Sequence, residues 1–263
     1  MKRKAIQVNI PEYPETISEL LKGAPVYDSS CSKEAQVLFI DKDGGYYVKK
    51  AMKGILKTES LMTEYMHSLG LSAEVLYYGS FEDSDILLTR CIPGEDCTDS
   101  KYLSDPKRLC DTTAMLLRTL HEIEGNKCPV RNRIPTYANT VMKGFDGRYY
   151  EAGLFQGIWE FKSFDDARRI AEEGLPLLKS DVLLHGDYCL PNILLNDWKF
   201  SGYIDLGNGG MGDRHIDILW GIWTLKFNLG TDKYTGRFMD AYGKEMIEPE
   251  MLRMVAAMEM IGA

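Results

Sequence analysis

The sequence predicts an α+β chain, a small β-rich N-terminal lobe followed by a larger α-rich C-terminal lobe. Three observations carry this. Short strand-like runs dominate up to Arg90, the apolar repeat lengthens to a helical period from Pro106, and a Pro-Gly break (CIPGED, 91–96) separates the two regimes. The expected boundary lies at that break, giving a lobe at 1–93 and another at 94–263. With 263 residues, 44% of them hydrophobic and 27% charged, the chain can bury a full core as one domain or two joined lobes.

Taken in order, residues 14–22 open with Pro and Glu and place Ile17, Leu20 and Leu21 on one helical face, with Gly23 as the stop. Strands are expected at 25–27, 35–41 and 46–50, the last two joined by a DKDGG turn in which Gly supplies positive φ. A helix follows at 55–69, its apolar set being Leu56, Leu61, Met62, Tyr65 and Leu69, with Gly70 as the stop. Strands at 74–81 and 85–90 flank the turn EDSD. Beyond the break, 106–123 is strongly helical through Leu109, Thr113, Leu116, Leu117 and Leu120. Helical stretches are expected near 135–145 and 164–175, and again at 213–227, 232–242 and 248–261. Between these two sets, an apolar run at 182–184 is followed by two strand-like pieces, 193–195 and 200–204.

The net charge of −8 argues against nucleic acid as a partner, because phosphate binding needs a basic face. The deficit is uneven: residues 1–93 carry 11 basic and 13 acidic side chains, residues 94–263 carry 20 and 26. The more acidic second part would suit a cationic substrate, although a solvated acidic surface gives the same count. No run of about 18 apolar residues is present, so no membrane span is expected. The start, MKRKAIQVNIPEYPE, is basic but continues into Pro and Glu, unlike an export signal. Six dispersed cysteines without a C-x-x-C pair then read as reduced thiols in a cytoplasmic protein.

The chemistry concentrates in LLHGDYCLPNILLNDWKFSGYIDLG, 183–207. His185-Gly186-Asp187 follows an apolar run, Asn192 comes five residues after the aspartate, and the two strand-like pieces beyond it end at Asp205. A hairpin there returns Asp205 toward Asn192, and a carboxylate with an amide oxygen can hold Mg²⁺, a hard cation that prefers oxygen ligands. Asp187 can orient a substrate hydroxyl and accept its proton. Turn capping by Asp and Asn would explain any one of these residues singly. The set in this order is specific.

HGDYCLPNILL followed by FSGYIDLG closely resembles the aminoglycoside phosphotransferases, most nearly the 3′-phosphotransferases of the kanamycin and neomycin kinase type. LLRTLHEIEGNKCPV at 116–130, IPGED after Cys91 and GDRHIDI at 212–218 extend the likeness over nearly the whole length. It implies a protein-kinase-like bilobal fold and Mg-dependent transfer of a nucleotide γ-phosphate, from ATP or GTP, to a small-molecule hydroxyl. Asp187 resembles the catalytic aspartate, and Asn192 and Asp205 resemble the metal ligands. Lys49 resembles the lysine that contacts the α/β-phosphates, with Lys50 as the register alternative. Its partner is expected at Glu59, with Glu64 second, as in the corresponding pair of protein kinases. Tyr47 matches an aromatic that stacks on adenine, Thr89, Arg90, Cys91 and Ile92 match the hinge, and Ser32 lies in SSCSKE (29–34), which takes the place of the nucleotide loop without its glycines.

The acceptor side departs from the pattern. The acidic and aromatic C-terminus of the close relatives is MEMIGA here, leaving Glu259 as its one carboxylate. The arginine after I-D-x-G is Asn208, and GIWTLKFNL at 221–229 has no carboxylate and gains Lys226. Glu160 and Glu259, with Asp187, are the expected substrate contacts, and Glu151, Glu160, Asp165 and Asp166 are candidates for an acidic wall, with a plain surface role as the equal alternative. Three readings follow: a kinase of an aminoglycoside 3′-hydroxyl conferring resistance, a kinase of another hydroxylated antibiotic or metabolite, and a nucleotide-binding regulator without transfer. A monomer is expected, with a dimer as the alternative. His121 and His185 read as structural, and Asp217 as a brace for the loop backbone.

Overall fold

The computed structural model describes residues 4–262; Met1–Arg3, part of the basic start, lie outside them. In chain order the elements are β1 (Lys4–Ala5), α1 (Glu15–Leu21), β2 (Val26–Asp28), β3 (Ala35–Ile40), β4 (Tyr46–Met52), α2 (Leu56–Ser68), β5 (Val75–Ser80), β6 (Ser84–Arg90) and β7 (Glu95–Asp96). Then come α3 (Ser100–Leu103), α4 (Pro106–His121), α5 (Ile134–Gly147), α6 (Phe164–Gly174), β8 (Val182–Leu184), β9 (Ile193–Asn196), β10 (Lys199–Tyr203), β11 (Gly210–Gly212), α7 (Arg214–Leu229), α8 (Thr235–Tyr242) and α9 (Pro249–Gly262). An antiparallel sheet thus precedes a helical region. Two compact units result, one running to Asp96 and taking in Ile193–Gly207, the other made of Cys97–Asn192 and the chain from Asn208 onward.

The first unit is built on a six-stranded antiparallel sheet in the order β1-β2-β3-β4-β6-β5. Both faces of the sheet are covered. Leu38, Ile40, Tyr46, Val48, Ile86 and Leu88 pack on one side with Tyr13, Ile17 and Leu21 of α1 and its approach. Ala51 and Leu87 pack on the other with Leu56 of α2. Successive residues of a strand point to opposite faces, so this fixes β4: Tyr46, Val48 and Lys50 face α1, Tyr47, Lys49 and Ala51 face α2. The β3–β4 turn closes with Asp43, Gly44 and Gly45 all at positive φ.

Helix α2 corrects its expected apolar face. Leu61 and Leu69 are 40% and 41% exposed, while Glu59, Ser60 and Thr63 join Leu56, Met62 and Met66 in the buried stripe. The reason is the polar company on the α2 side of the sheet, where Lys49 and Asp85 need partners. Asp85, fully buried on β6, accepts from the Leu56 backbone N–H (3.0 Å), Ser80 Oγ (2.7 Å) and Tyr78 Oη (3.3 Å). It serves as the cap for α2, whose own N-terminal residue Ile55 supplies none.

In the second unit α9 packs on α5, α6 and α7, and α4 packs on α7 and α8. Val141, Phe145, Ala167, Ile170, Ala257, Met258 and Ile261 form one core, so the methionine-rich C-terminal helix is largely interior. Strands β8 and β11 pair antiparallel, and in the first unit β9 lies between β10 and β7. The β9–β10 hairpin turns at Asp197 and Trp198, both at positive φ, and its register pairs Ile193 with Tyr203. The short β1, β7, β11 and α3 have no periodicity of their own and escaped the sequence reading. All six cysteines are free, and among the described residues no helix is long and apolar enough to cross a membrane.

Candidate active site

Lys49 is the charged centre of the first unit. Its ammonium donates to Glu59 Oε1 and Oε2 (3.0 and 2.8 Å) and to Asp205 Oδ1 (2.7 Å). Burial works against the lysine's charge, but the two carboxylates outweigh it and hold its pKa above the ordinary value. Burial pushes the Glu59 carboxyl up against the pull of Lys49. Lys50 projects from the other face, its ammonium 5.7 Å from the Tyr13 ring centroid. Glu64, one helical turn and a residue beyond Glu59, is not brought to Lys49. Asp205 holds φ at +62°, a left-handed conformation that few non-glycine residues adopt, just ahead of Leu206 and Gly207.

The other nucleotide-side candidates divide. Tyr47 shares the Lys49 face of β4, across from Phe39 (ring centroids 5.2 Å) on one side and Thr89 on the other. Arg90 turns away: its guanidinium pairs with Glu74 at 3.2 Å and lies over the Tyr46 ring. The amides of Arg90 and Cys91 are given to the carbonyls of Glu74 and Gly45. Ser32 is exposed, and its hydroxyl bonds Glu34, holding that carboxyl below its usual range.

In the second unit the loop after β8 is fixed from three directions. Asp217, fully buried in the first turn of α7, accepts from the backbone N–H of His185 (2.7 Å) and Gly186 (2.8 Å) and meets His121 Nε2 at 3.2 Å. Thr224 Oγ1, two turns further along α7, accepts from the Leu190 amide, and Tyr188 Oη donates to the Thr113 carbonyl of α4. Gly186 sits at φ +86°, where a Cβ would stand 2.0 Å from the Asn208 carbonyl oxygen; only glycine fits. The result is a rigid mount for Asp187, whose Oδ2 and carbonyl accept from Asn192 Nδ2 at 2.8 and 3.0 Å. His185 is wholly buried and accepts the Asp187 amide on Nδ1 (3.3 Å), a bracing contact.

Of the acceptor candidates, Glu259 feels the charge of Asp187. Glu259 is 8% exposed on α9, and burial together with the charges of Asp187 and Asp217 raises its pKa to about 7. The Trp220 indole and the buried Tyr137 hydroxyl favour its ionised form, the hydroxyl standing outside full hydrogen-bond geometry. Glu160 and Glu151 are exposed on the connection between α5 and α6. Asp165 and Asp166 pair with Arg148 (3.4 Å) and Arg169 (3.1 Å) at the start of α6. Asn208 accepts from Arg133 Nη2 at 2.8 Å, so a guanidinium does meet this position, from the cap of α5.

A hard divalent cation suits the donors present. Asn192 spends its amide nitrogen on Asp187, so oxygen is what it has left to offer, and the Asp205 carboxylate already holds a cationic stand-in, the Lys49 ammonium. Among the described residues no cluster of three or more His, Cys, Asp or Glu forms a metal cage. Mg²⁺, which keeps several waters, does not need one.

Comparison with known proteins agrees with this chemistry. A family model for the phosphotransferase enzyme family (APH) matches residues 34–254. The chain is 44% identical over 260 residues to a "Probable aminoglycoside 3′-phosphotransferase" of Lactococcus lactis subsp. lactis, covering 98% of both chains. It is 26% identical over 180 residues to an aminoglycoside 3′-phosphotransferase of Niallia circulans, 68% of each. In fold it resembles the crystal structure of an aminoglycoside-3′-phosphotransferase of type VIII, with TM-score 0.72, 22% identity and 95% of each chain covered. A Streptomyces rimosus aminoglycoside phosphotransferase in complex with ADP and streptomycin is similar at TM-score 0.67 and 21% identity, covering 87% of this chain and 90% of that one.

Proposed function

This chain belongs to the phosphotransferase enzyme family, and from that premise we propose that it phosphorylates the 3′-hydroxyl of an aminoglycoside, using ATP or GTP with Mg²⁺. The observation that carries the chemistry is Lys49, a partly buried ammonium held between Glu59 and Asp205. A cation so placed serves anionic phosphates, and the near full-length identity to a probable aminoglycoside 3′-phosphotransferase supports the acceptor.

The roles follow from the side chains. Lys49 neutralises the α/β-phosphates and Glu59 holds it in the rotamer that does so. Tyr47 offers its ring to the base, and the backbone at 89–92 offers its edge groups. Asn192 and Asp205 would hold Mg²⁺, which when bound supplies further neutralisation of the phosphate oxygens. One Asp187 oxygen is occupied by Asn192, and the other accepts the substrate O–H. The hydroxyl oxygen forms a bond to the γ-phosphorus as the bond to the β-bridging oxygen breaks. The proton passes to Asp187 and the nucleoside diphosphate departs. Positioning and charge neutralisation do most of the catalysis. In this reading residues 1–93 serve the nucleotide and 94–263 the acceptor, in a cytoplasmic monomer that confers resistance.

The test is ADP release with Mg-ATP over kanamycin-type aminoglycosides and other hydroxylated amines. Asp187→Ala should abolish transfer while nucleotide binding persists. Undiminished turnover by that variant would overturn the assignment, and turnover of other alcohols without any aminoglycoside would favour a different acceptor.

A further inference from the structure

Thr113, Thr119 and Thr140 of the second unit donate their hydroxyls to the carbonyl four residues back (2.9, 2.9 and 3.3 Å), the ordinary use of a threonine inside a helix. Thr224 of α7 is used differently. Its Oγ1 accepts twice, from the Leu190 backbone N–H at 3.0 Å and from Asn228 Nδ2 at 3.2 Å. Asn228 also donates to the Thr224 carbonyl at 2.8 Å, so its amide is tied to one residue at two points. Thr224 is buried, away from the surface of the helix.

The turn that receives this contact carries Asn192. Leu190–Asn192 is a single turn of 3-10 helix between the loop after β8 and strand β9. Both backbone groups of Leu190 are held, the N–H by Thr224 and the carbonyl by the Cys97 amide (3.2 Å). The Asn192 backbone amide closes on the Cys189 carbonyl (2.9 Å), and the Cys189 amide on the Asp187 carbonyl (2.8 Å). From this turn the Asn192 side chain reaches back to Asp187, with Nδ2 given to both the carboxylate and the carbonyl. Pinning the nitrogen at two points fixes the plane of the amide, and with it the direction of Oδ1. Packing alone would ask only for an apolar side chain at 224. The hydroxyl oxygen does more: it answers a buried N–H that would otherwise be left without a partner, and Asn228 holds it in that rotamer.

We infer that Thr224 and Asn228 are positioning residues for the divalent cation, setting from α7 the turn that aims the Asn192 oxygen. The inference rests on reading Asn192 as a Mg²⁺ ligand in the proposed kinase. The groups that orient a ligand decide how well it is presented to a metal, and losing one costs about 10- to 100-fold in affinity. Thr224 orients the backbone that carries the ligand, and Asn228 orients Thr224, so the effect is graded along the chain of contacts. Neither residue is assigned to the nucleotide, whose affinity in the absence of metal is therefore independent of both.

Manganese serves as the probe, read by electron paramagnetic resonance on the ADP-saturated protein. Thr224→Val should raise the Mn²⁺ dissociation constant about tenfold. Asn228→Ala, which leaves the Leu190 contact in place, should raise it about threefold, and Thr224→Ser, which keeps the acceptor oxygen, should stay within about twofold of wild type. ADP binding in EDTA, followed by calorimetry, should be the same in every one of these proteins. An unmoved Mn²⁺ constant in Thr224→Val would overturn the inference. So would equal losses of Mn²⁺ and metal-free ADP affinity, the mark of a loosened unit rather than a misaimed ligand. Where Thr224→Val does not fold, Asn228→Ala decides, and a constant equal to wild type in that variant overturns the inference as well. Asn192→Leu separates this role from the reading beneath it. Unchanged Mn²⁺ binding in Asn192→Leu would remove the metal assignment and the inference together, whereas loss of the ion there, with full binding in Thr224→Val and Asn228→Ala, would remove the positioning role alone.

Discussion

At the scale of single residues, adjacent lysines in one strand have opposite fates. Lys49 shares a face with α2 and reaches Glu59 and Asp205, while Lys50 shares one with α1 and lies over Tyr13. Alternation could not choose between them from the sequence because this sheet is covered on both sides, so "inward" has two meanings. Lys49→Ala should lower kcat/KM for nucleotide about 10²-fold, the usual cost of removing one preorganised charge donor. Lys50→Ala should stay within about twofold, and equal losses in the two variants would contradict the assignment. Glu259 carries a second residue-scale consequence. Its folded pKa of about 7 stands above the ordinary 4.5, so the folded state binds its proton more tightly than the unfolded chain between those values. Its contribution to stability is therefore greatest below that window and declines as pH rises through it. Glu259→Gln should flatten this decline, raising Tm by several degrees at about pH 8 and by little at about pH 5. Parallel Tm-against-pH curves for the two proteins would show that the carboxyl is not perturbed.

Among the elements, α2 shows why a helix can be legible in extent and illegible in orientation. Its apolar residues and the Gly70 stop announce a helix, but its buried stripe is chosen by polar partners distant in sequence. Asp85 caps it from a neighbouring strand, and Glu59 must face Lys49. No local pattern encodes either contact. The same holds for the loop after β8, whose His-Gly-Asp motif is plain in sequence while Thr224 and Tyr188, which anchor it, look like ordinary helix and loop residues. Asp85→Ala leaves a buried amide and two hydroxyls without their acceptor, which should cost about 2–3 kcal/mol. Because α2 carries Glu59, activity should fall with stability, and denaturant melts with kinetics on the same preparation would show it. The Asp85 carboxyl is held below its usual range: burial raises it, but the hydrogen bonds from Ser80, Gly54 and Leu56 prevail. Its stabilisation is thus present above the unfolded carboxylate pKa and lost as pH falls through the lowered one. Wild type and Asp85→Ala should converge in Tm toward strongly acidic pH, and a constant gap down to about pH 2 would contradict this account.

For the molecule as a whole, the chain's path matters more than its sequence halves. The division into a strand-rich and a helix-rich part was readable from the change in period and the Pro93–Gly94 break. That Ile193–Gly207 returns to the first unit was not, because β7 and the β9–β10 hairpin recognise each other across about a hundred residues. The return is built from several contacts. β7 pairs with β9, Ser72 Oγ donates to the Tyr203 carbonyl (2.8 Å), Ser201 Oγ donates to the Pro93 carbonyl (2.6 Å), and Asp205 meets Lys49. A piece of fewer than 100 residues has a small stability margin, about 5 kcal/mol, and these contacts represent a large part of it. A fragment of residues 1–96 should therefore lack a cooperative thermal transition, whereas the same fragment joined by a short flexible linker to 193–207 should regain one. Equal melting of the two fragments would mean that the hairpin merely leans on a self-sufficient sheet. Loss of cooperativity in the first alone would show that the catalytic motif's own strands complete the unit that carries Lys49, so the metal-ligand candidate Asp205 and the phosphate lysine are kept together by the same fold.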